Sequence, residues 1–314
     1  MNNEQTYPTS IFELQDRFQS DADCEAFFFD LRWPEGFRCP RCNASDYSKV
    51  KGRRTYSCRA CYHQTSVTAG TVLHRSKISL RRWLWAIFFV ARHKKSMSAT
   101  ELQKDLGLGS YNSAWLLLHK IRDSFGEKAE FLLDGLVELD ETLIGAKGKG
   151  AKPGRDLDKK SLVITAIELG KRGKRGHKWA EVRAMHLPDG NADTIGKFVT
   201  ENVKPKSTLL TDGLRAYKRL EGQGYEVCQD VSSKMTAKEM TTLNPLRHVH
   251  LFFSNLKTWL RGRFHGVSRK YLSAYLNEFL YRLNRRQDTD KNFVWVSRRL
   301  MHRSPMTLTN LRGY

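Results

Sequence analysis

The chain has 314 residues, a length for two or three domains, and 40% of it is apolar, enough for real cores. Its 54 Lys and Arg outnumber 33 Asp and Glu, and the formal charge of +21 points to a polyanionic partner, nucleic acid ahead of an anionic membrane. The longest apolar run, Trp83 to Ala91, is too short to span a bilayer and the opening residues lack a signal-peptide layout, so we expect a cytoplasmic, nucleoid-associated protein whose six cysteines are metal ligands or free thiols.

Residues 9 to 30 read as short helices, opened by a capping box at Ser10 and Glu13. Trp33-Pro34-Glu35-Gly36 breaks the chain before a segment rich in Cys, Arg and Lys. An amphipathic helix is expected over 79–92, with Leu80, Trp83, Leu84, Ile87, Phe88 and Ala91 on one face. Ser98 and Glu101 open a second helix that stops at Gly107-Leu108-Gly109, and a third runs from about Ser110 to Phe125. Helix, Gly-containing turn and longer helix are the layout of a helix-turn-helix. Asn112, Lys120 and Arg122 are its candidate DNA contacts.

From Leu136 the pattern changes to strands at 137–144, 161–169 and 180–187, separated by Gly/Lys-rich stretches at 145–160 and 170–178 that read as flexible loops or hairpin tips. Then come a helix at 191–201, a strand at 208–211, a helix at 214–220, a short strand at 225–231, and helices at 246–261 and 268–285. Three strands, then alternating helix and strand, then helices describe an α/β domain with a mixed sheet.

Cys39-Pro-Arg-Cys42 and Cys58-Arg-Ala-Cys61 are two CxxC pairs 15 residues apart. Zinc takes four soft ligands in a tetrahedron, and each CxxC knuckle supplies two of them. We expect one structural Zn²⁺, which stabilises a module too small to fold unaided. Between residues 31 and 75 there are nine Lys/Arg against two Asp/Glu, with Tyr47, Tyr56 and Tyr62 among them, so the ribbon also reads as a DNA contact. Cys24 and Cys228 lack such partners and read as buried thiols.

Asp140 lies in the alternating stretch Val137-Glu-Leu-Asp-Glu-Thr-Leu-Ile144, and Asp212 ends a short apolar strand before Gly213. Carboxylates at strand ends open onto crevices where metals and catalysis are found. Spacing leaves Glu138 and Glu141 as competitors of Asp140. On the helix from Leu246, His250 and Lys257 are seven apart and share a face with Ser254, whereas Asn255 is turned about 140° from His250.

The order of parts resembles the zinc-ribbon DDE transposases of bacterial insertion sequences, the group close to Xanthomonas-type elements. The resemblance covers about 31 to 286. It rests on Leu31-Arg-Trp-Pro-Glu-Gly-Phe-Arg-Cys-Pro-Arg-Cys42, Val137-Glu-Leu-Asp-Glu-Thr-Leu-Ile-Gly145, Thr211-Asp-Gly213, Arg261-Gly-Arg-Phe-His-Gly-Val-Ser268 and Tyr275-Leu-Asn-Glu-Phe-Leu-Tyr-Arg-Leu-Asn-Arg-Arg286. It implies a ribonuclease H-like catalytic domain in which Asp140 and Asp212 are the first two acids of the triad and hold two Mg²⁺ or Mn²⁺ ions. Where the superfamily has Glu followed seven residues later by Lys or Arg, this chain has His250 and Lys257. Relatives accept Asn or His at that position, which makes His250 the expected third ligand, with Asn255 or Glu239 as alternatives. Lys257, His265, Arg282, Arg285 and Arg286 are expected to contact phosphate; residues 255–286 carry eight Lys/Arg and one Glu.

The expected organisation is an N-terminal helical segment (1–36), a zinc ribbon (37–66), a helix-turn-helix region (76–128), a catalytic domain (132–290) and a C-terminal tail (291–314). The implied partner is double-stranded DNA, as terminal inverted repeats and target, with a homodimer or larger assembly on it. A non-catalytic DNA-binding regulator and a nuclease that cuts without joining are the competing functions. The Asp140/Asp212 pair argues against the first of these, since a pure binder has no use for paired strand-end carboxylates.

Overall fold

The computed structural model describes residues 7–93, 95–126, 131–145, 160–173, 176–229, 246–288 and 290–312. Glu239 and most of the stretch 145–160 lie outside these. The chain divides into two compact units, Met1–Phe125 with Arg285–Tyr314, and Gly126–Asn284. The separate C-terminal tail expected from 291 is thereby revised: the last helices belong to the first unit.

That unit begins with α1 (Ile11–Arg17) and α2 (Asp21–Arg32), the second opened by a capping box at Ser20 and Asp23. Three short antiparallel strands follow, β1 (Tyr47–Lys49), β2 (Tyr56–Cys58) and β3 (Gln64–Thr65). Helices α3 (Leu80–Arg92), α4 (Ala99–Asp105) and α5 (Tyr111–Asp123) complete its N-terminal part. Between α4 and α5 the chain turns at Gly107, whose φ of 57° suits a residue without Cβ. Ser98 and Ser110 cap the two helices. Trp83, Leu84 and Ile87 are buried on the expected face of α3.

The second unit is built on a mixed sheet of order β6-β5-β4-β7-β8. Its strands are β4 (Leu136–Ile144), β5 (Ser161–Gly173), β6 (Gly176–Leu187), β7 (Thr208–Thr211) and β8 (Glu226–Gln229). β4 is antiparallel to β5 and parallel to β7, and β7 is parallel to β8. The expected mixed sheet is present. The stretch 170–178 is largely ladder: β5 and β6 stay paired through Gly173 and Gly176. A ladder needs only backbone groups, so the apolar pattern is silent there.

Alternation along β4 and β5 sorts side chains onto two faces. Val137, Leu139, Leu162, Ile164 and Ala166 pack in the core that includes α6 (Ala192–Asn202) and α7 (Arg215–Lys218). Val163 and Ile167 pack with α8 (Arg247–Phe264) and α9 (Leu272–Asn284). Glu138, Asp140 and Thr142 therefore point to the α8 side, and Glu141 to the α7 side. The chain ends with α10 (Asn292–His302) and α11 (Leu308–Arg312); Phe293 of α10 stacks on Phe27 of α2.

Candidate catalytic centre and zinc site

The four cysteine sulfurs lie within 4.8 Å of one another. Cys39 and Cys61 are 3.7 Å apart and Cys42 and Cys58 3.6 Å. Zn–S bonds of about 2.3 Å in a tetrahedron place sulfurs about 3.8 Å apart, so the donor set and its spacing both fit zinc. The two knuckles repeat one geometry. Cys39 N–H donates to Ala44 and Cys58 N–H to His63, while Asn43 and Tyr62 donate back to Cys39 and Cys58. Asn43 and Tyr62 both take positive φ, 62° and 57°. Burial raises the Cys39 thiol, but backbone N–H groups of Arg41 and Cys42 outweigh it and lower it, while the crowding of Cys61, Cys58 and Cys39 around Cys42 raises that thiol, as expected of sulfurs packed together without a cation between them.

Of the tyrosines expected among the ribbon's charges, Tyr62 stands furthest into solvent at 80% exposed, Tyr47 is 38% exposed, and Tyr56 is buried. Tyr47 and Tyr56 join Phe29, Trp33 and Phe37 in an aromatic cluster between α2 and the ribbon. The Tyr56 hydroxyl donates to the buried Glu25. Cys24 is buried as expected and burial raises its thiol to about 11, but Cys228 is exposed. We predict one zinc per chain, lost on Cys39→Ser or Cys58→Ser together with the order of this aromatic cluster; elemental analysis and near-UV circular dichroism check both.

Two expected DNA contacts are corrected. Lys120 and Arg122 are buried: Lys120 Nζ donates to Val72 O at 2.8 Å and Arg122 to Met97 O at 3.3 Å. Their stems pack in the helical core while their heads satisfy main-chain carbonyls of distant segments. Arg32 acts alike on Ser66 and Val67, and burial lowers its guanidinium to about 10, still charged at neutral pH. Asn112 is exposed on the first turn of α5. Lys120→Ala should therefore cost about 1.5–3 kcal/mol of stability without changing the salt dependence of DNA binding. Denaturant melts and a salt titration separate these effects.

The sheet sorts the three carboxylates of β4. Glu138 accepts the His248 and Val249 N–H groups at 2.9 and 2.8 Å and meets His248 Nδ1 at 2.6 Å. Glu141, on the opposite face, accepts the Tyr217 hydroxyl. Asp140 is left facing the helix: its Oδ2 lies 3.3 Å from His250 Nε2, and its Oδ1 accepts Glu141 N–H. Helix and strand advance together. From His248 to Lys257 the helix rises about 13.5 Å, and from Glu138 to Thr142 the strand rises about 13 Å. So Lys257 Nζ reaches Thr142 Oγ1 at 2.7 Å, two turns beyond His250.

Asp212 follows β7, one residue past the Leu139–Thr211 pair, beside Asp140 on the neighbouring strand. Its Oδ1 accepts Leu214 N–H at 3.0 Å. Asp140 chiefly, with Glu138 and Asp212 adding, raises the His250 pKa above its usual value against the effect of burial. Asp140 and His250 are in contact, but among the described residues only the cysteine tetrad closes to within one ion's reach. The donor set of two hard carboxylates and an imidazole nevertheless suits Mg²⁺ or Mn²⁺. An orphaned hydroxyl adds to the fit: Thr165, fully buried and paired with Asp140 across β4 and β5, has no hydrogen-bond partner for its Oγ1 among the described residues. Asn255 is exposed.

The expected phosphate contacts separate. His265 is exposed at the left-handed C-cap of α8, and Arg286 is exposed. Arg282, partly buried, makes two bonds, 3.0 and 2.7 Å, to the fully buried Glu278 one turn back. Arg285 stacks on Trp295, which Arg299 also approaches. Roles for Glu138, Glu141, Tyr217 and His248 were missed in the sequence. Strict alternation around Asp140 was the available signal, since it places the two glutamates on opposite faces.

Residues 19–64 match the transposase zinc-ribbon domain, and residues 132–284 match the ISXO2-like transposase domain. A protein in transposable element ISH50 of Halobacterium salinarum is 23% identical over 284 residues, covering 84% of this chain and 91% of that one.

Proposed function

This chain belongs to the insertion-sequence transposases that combine a zinc ribbon with an ISXO2-like domain, and we propose that it binds the ends of its own element and catalyses DNA cleavage and strand transfer. The observation that carries this reading is the Asp140–His250 contact on the central strand β4, beside Asp212 at the end of the neighbouring strand β7. A regulator that only binds DNA has no need of it.

In this reading Asp140, Asp212 and His250 hold the divalent ions. Bound there, such ions supply Lewis-acid activation of a water, then of a DNA 3′-hydroxyl, for in-line attack on phosphorus. Lys257 neutralises a phosphate beside the scissile bond. Its ammonium is half-buried and its pKa lowered chiefly by desolvation, so it gains when a phosphate arrives. Outside the centre, the exposed Asn112 of a helix-turn-helix, the basic ribbon, His265 and Arg286 contact the duplex. The protein acts on nucleoid DNA in the cytoplasm, with at least two copies bringing two ends together. No helix among the described residues is long and apolar enough to cross a membrane.

The test offers the full chain DNA from the flanks of its own gene, a plasmid target and Mn²⁺. Joined products are expected. Tight binding without cleavage would make it a regulator, and cleavage without joining a nuclease. Binding should weaken steeply with salt as counterions are displaced.

A further inference from the structure

We propose that Glu138 and Glu141, which flank Asp140, are positioning residues, each tethering the element that carries one of the other two metal ligands. Glu138 holds α8 and so His250; Glu141 holds α7 and so Asp212. The inference rests on the catalytic-centre reading above.

Among the described residues neither helix has a side-chain cap. The N-cap of α8 is Leu246 and that of α7 is Leu214, with no side-chain cap bond at either. The first N–H groups of a helix need acceptors, and for α8 these come from the neighbouring strand. Glu138 is 1% exposed, and a carboxylate at that depth is tolerated only when its lone pairs are filled. The N–H groups of His248 and Val249 and the His248 ring fill them. A negative charge at the positive end of α8 adds to the attachment. His250 lies one residue past Val249, so its height over Asp140 is set by this clamp.

On the other face, α7 is four residues long, too short to hold itself. Its Tyr217 is fully buried and donates to Glu141, while Leu214 N–H binds the Asp212 carboxylate. Burial first, then Glu141, pushes the Tyr217 phenol well up, so it remains a donor. Glu141 thus fixes the turn between Asp212 and Tyr217. One strand segment of four residues supplies a ligand at Asp140 and a tether for each of the others.

Calorimetric titration of Mn²⁺ into the zinc-loaded full chain tests this. Glu138→Gln and Tyr217→Phe should each weaken Mn²⁺ binding about tenfold to a hundredfold, as loss of a ligand-orienting partner does. In a His250→Ala background the loss from Glu138→Gln should shrink below about twofold, while that from Tyr217→Phe persists; in an Asp212→Asn background the pattern should invert. Should Glu138→Gln fail to fold, His248→Asn, which removes only the ring contact, should show the same dependence on His250. Unchanged affinity in these folded variants, or equal losses in both backgrounds, would overturn the tethers. Unchanged affinity in Asp140→Ala would instead overturn the catalytic-centre reading.

Discussion

Asp140→Ala and Asp212→Ala are each expected to abolish cleavage and joining, by several orders of magnitude, while terminal DNA binding stays nearly intact. Each change removes a hard oxygen ligand, which lowers metal occupancy and misplaces the nucleophile. A thousandfold loss corresponds to about 4 kcal/mol of transition-state stabilisation. Binding survives because the expected DNA contacts of the ribbon and of α5 belong to the other compact unit. Single-turnover cleavage of terminal DNA, with a gel-shift control, measures both. Near wild-type cleavage by Asp140→Ala would move the role to Glu138 or Glu141, although their oxygens already serve α8 and Tyr217.

The second large effect concerns His250. Imidazole brings no negative charge and suits softer first-row metals better than Mg²⁺, so activity should be higher with Mn²⁺. His250→Ala should lose most of it, and His250→Glu should keep or raise Mg²⁺-dependent activity. The Asp140 contact raises the His250 pKa above 6.5 in the metal-free protein. A raised pKa favours the protonated ring, and only the neutral ring binds metal, so proton and metal compete. Mn²⁺ occupancy and activity should therefore fall as pH drops, with a midpoint above 6.5 at low metal concentration, moving down as Mn²⁺ is added. Lys257→Ala should cost less than His250→Ala, because Lys257 meets phosphate rather than metal. Wild-type cleavage by His250→Ala in Mg²⁺ would make this residue structural.

Much of the fold was legible because local pattern and global role agree. The CxxC spacing requires two sulfurs per knuckle, and the alternation of Val137 to Ile144 requires a strand with two different faces. The apolar stripe of Leu80, Trp83 and Ile87 requires a helix against a core. What stayed hidden depended on contacts far away in sequence. Lys120 and Arg122 read as surface charges because the carbonyls they satisfy, on Val72 and Met97, come from other segments. The stacking of Arg285 on Trp295 was equally hidden, because Trp295 lies in a separate helix. Arg282 was more legible, since Glu278 lies one turn back at the spacing of an intrahelical pair. At the candidate centre, period and face were readable for Asp140, His250 and Lys257. The partners of Glu138 and Glu141 were not, because alternation gives a face and never its occupant.

The central claim is that a divalent ion sits between Asp140, Asp212 and His250. Fe²⁺ substituted for Mg²⁺ in the zinc-loaded chain, with added hydrogen peroxide and ascorbate, reduces the peroxide to hydroxyl radicals that cut the backbone beside the ion. The cuts are expected at three places, around Asp140 in β4, at the turn holding Asp212, and in the first turn of α8, and they should vanish in Asp140→Ala. Cuts confined to other segments, or the same three cuts persisting in Asp140→Ala, would contradict it.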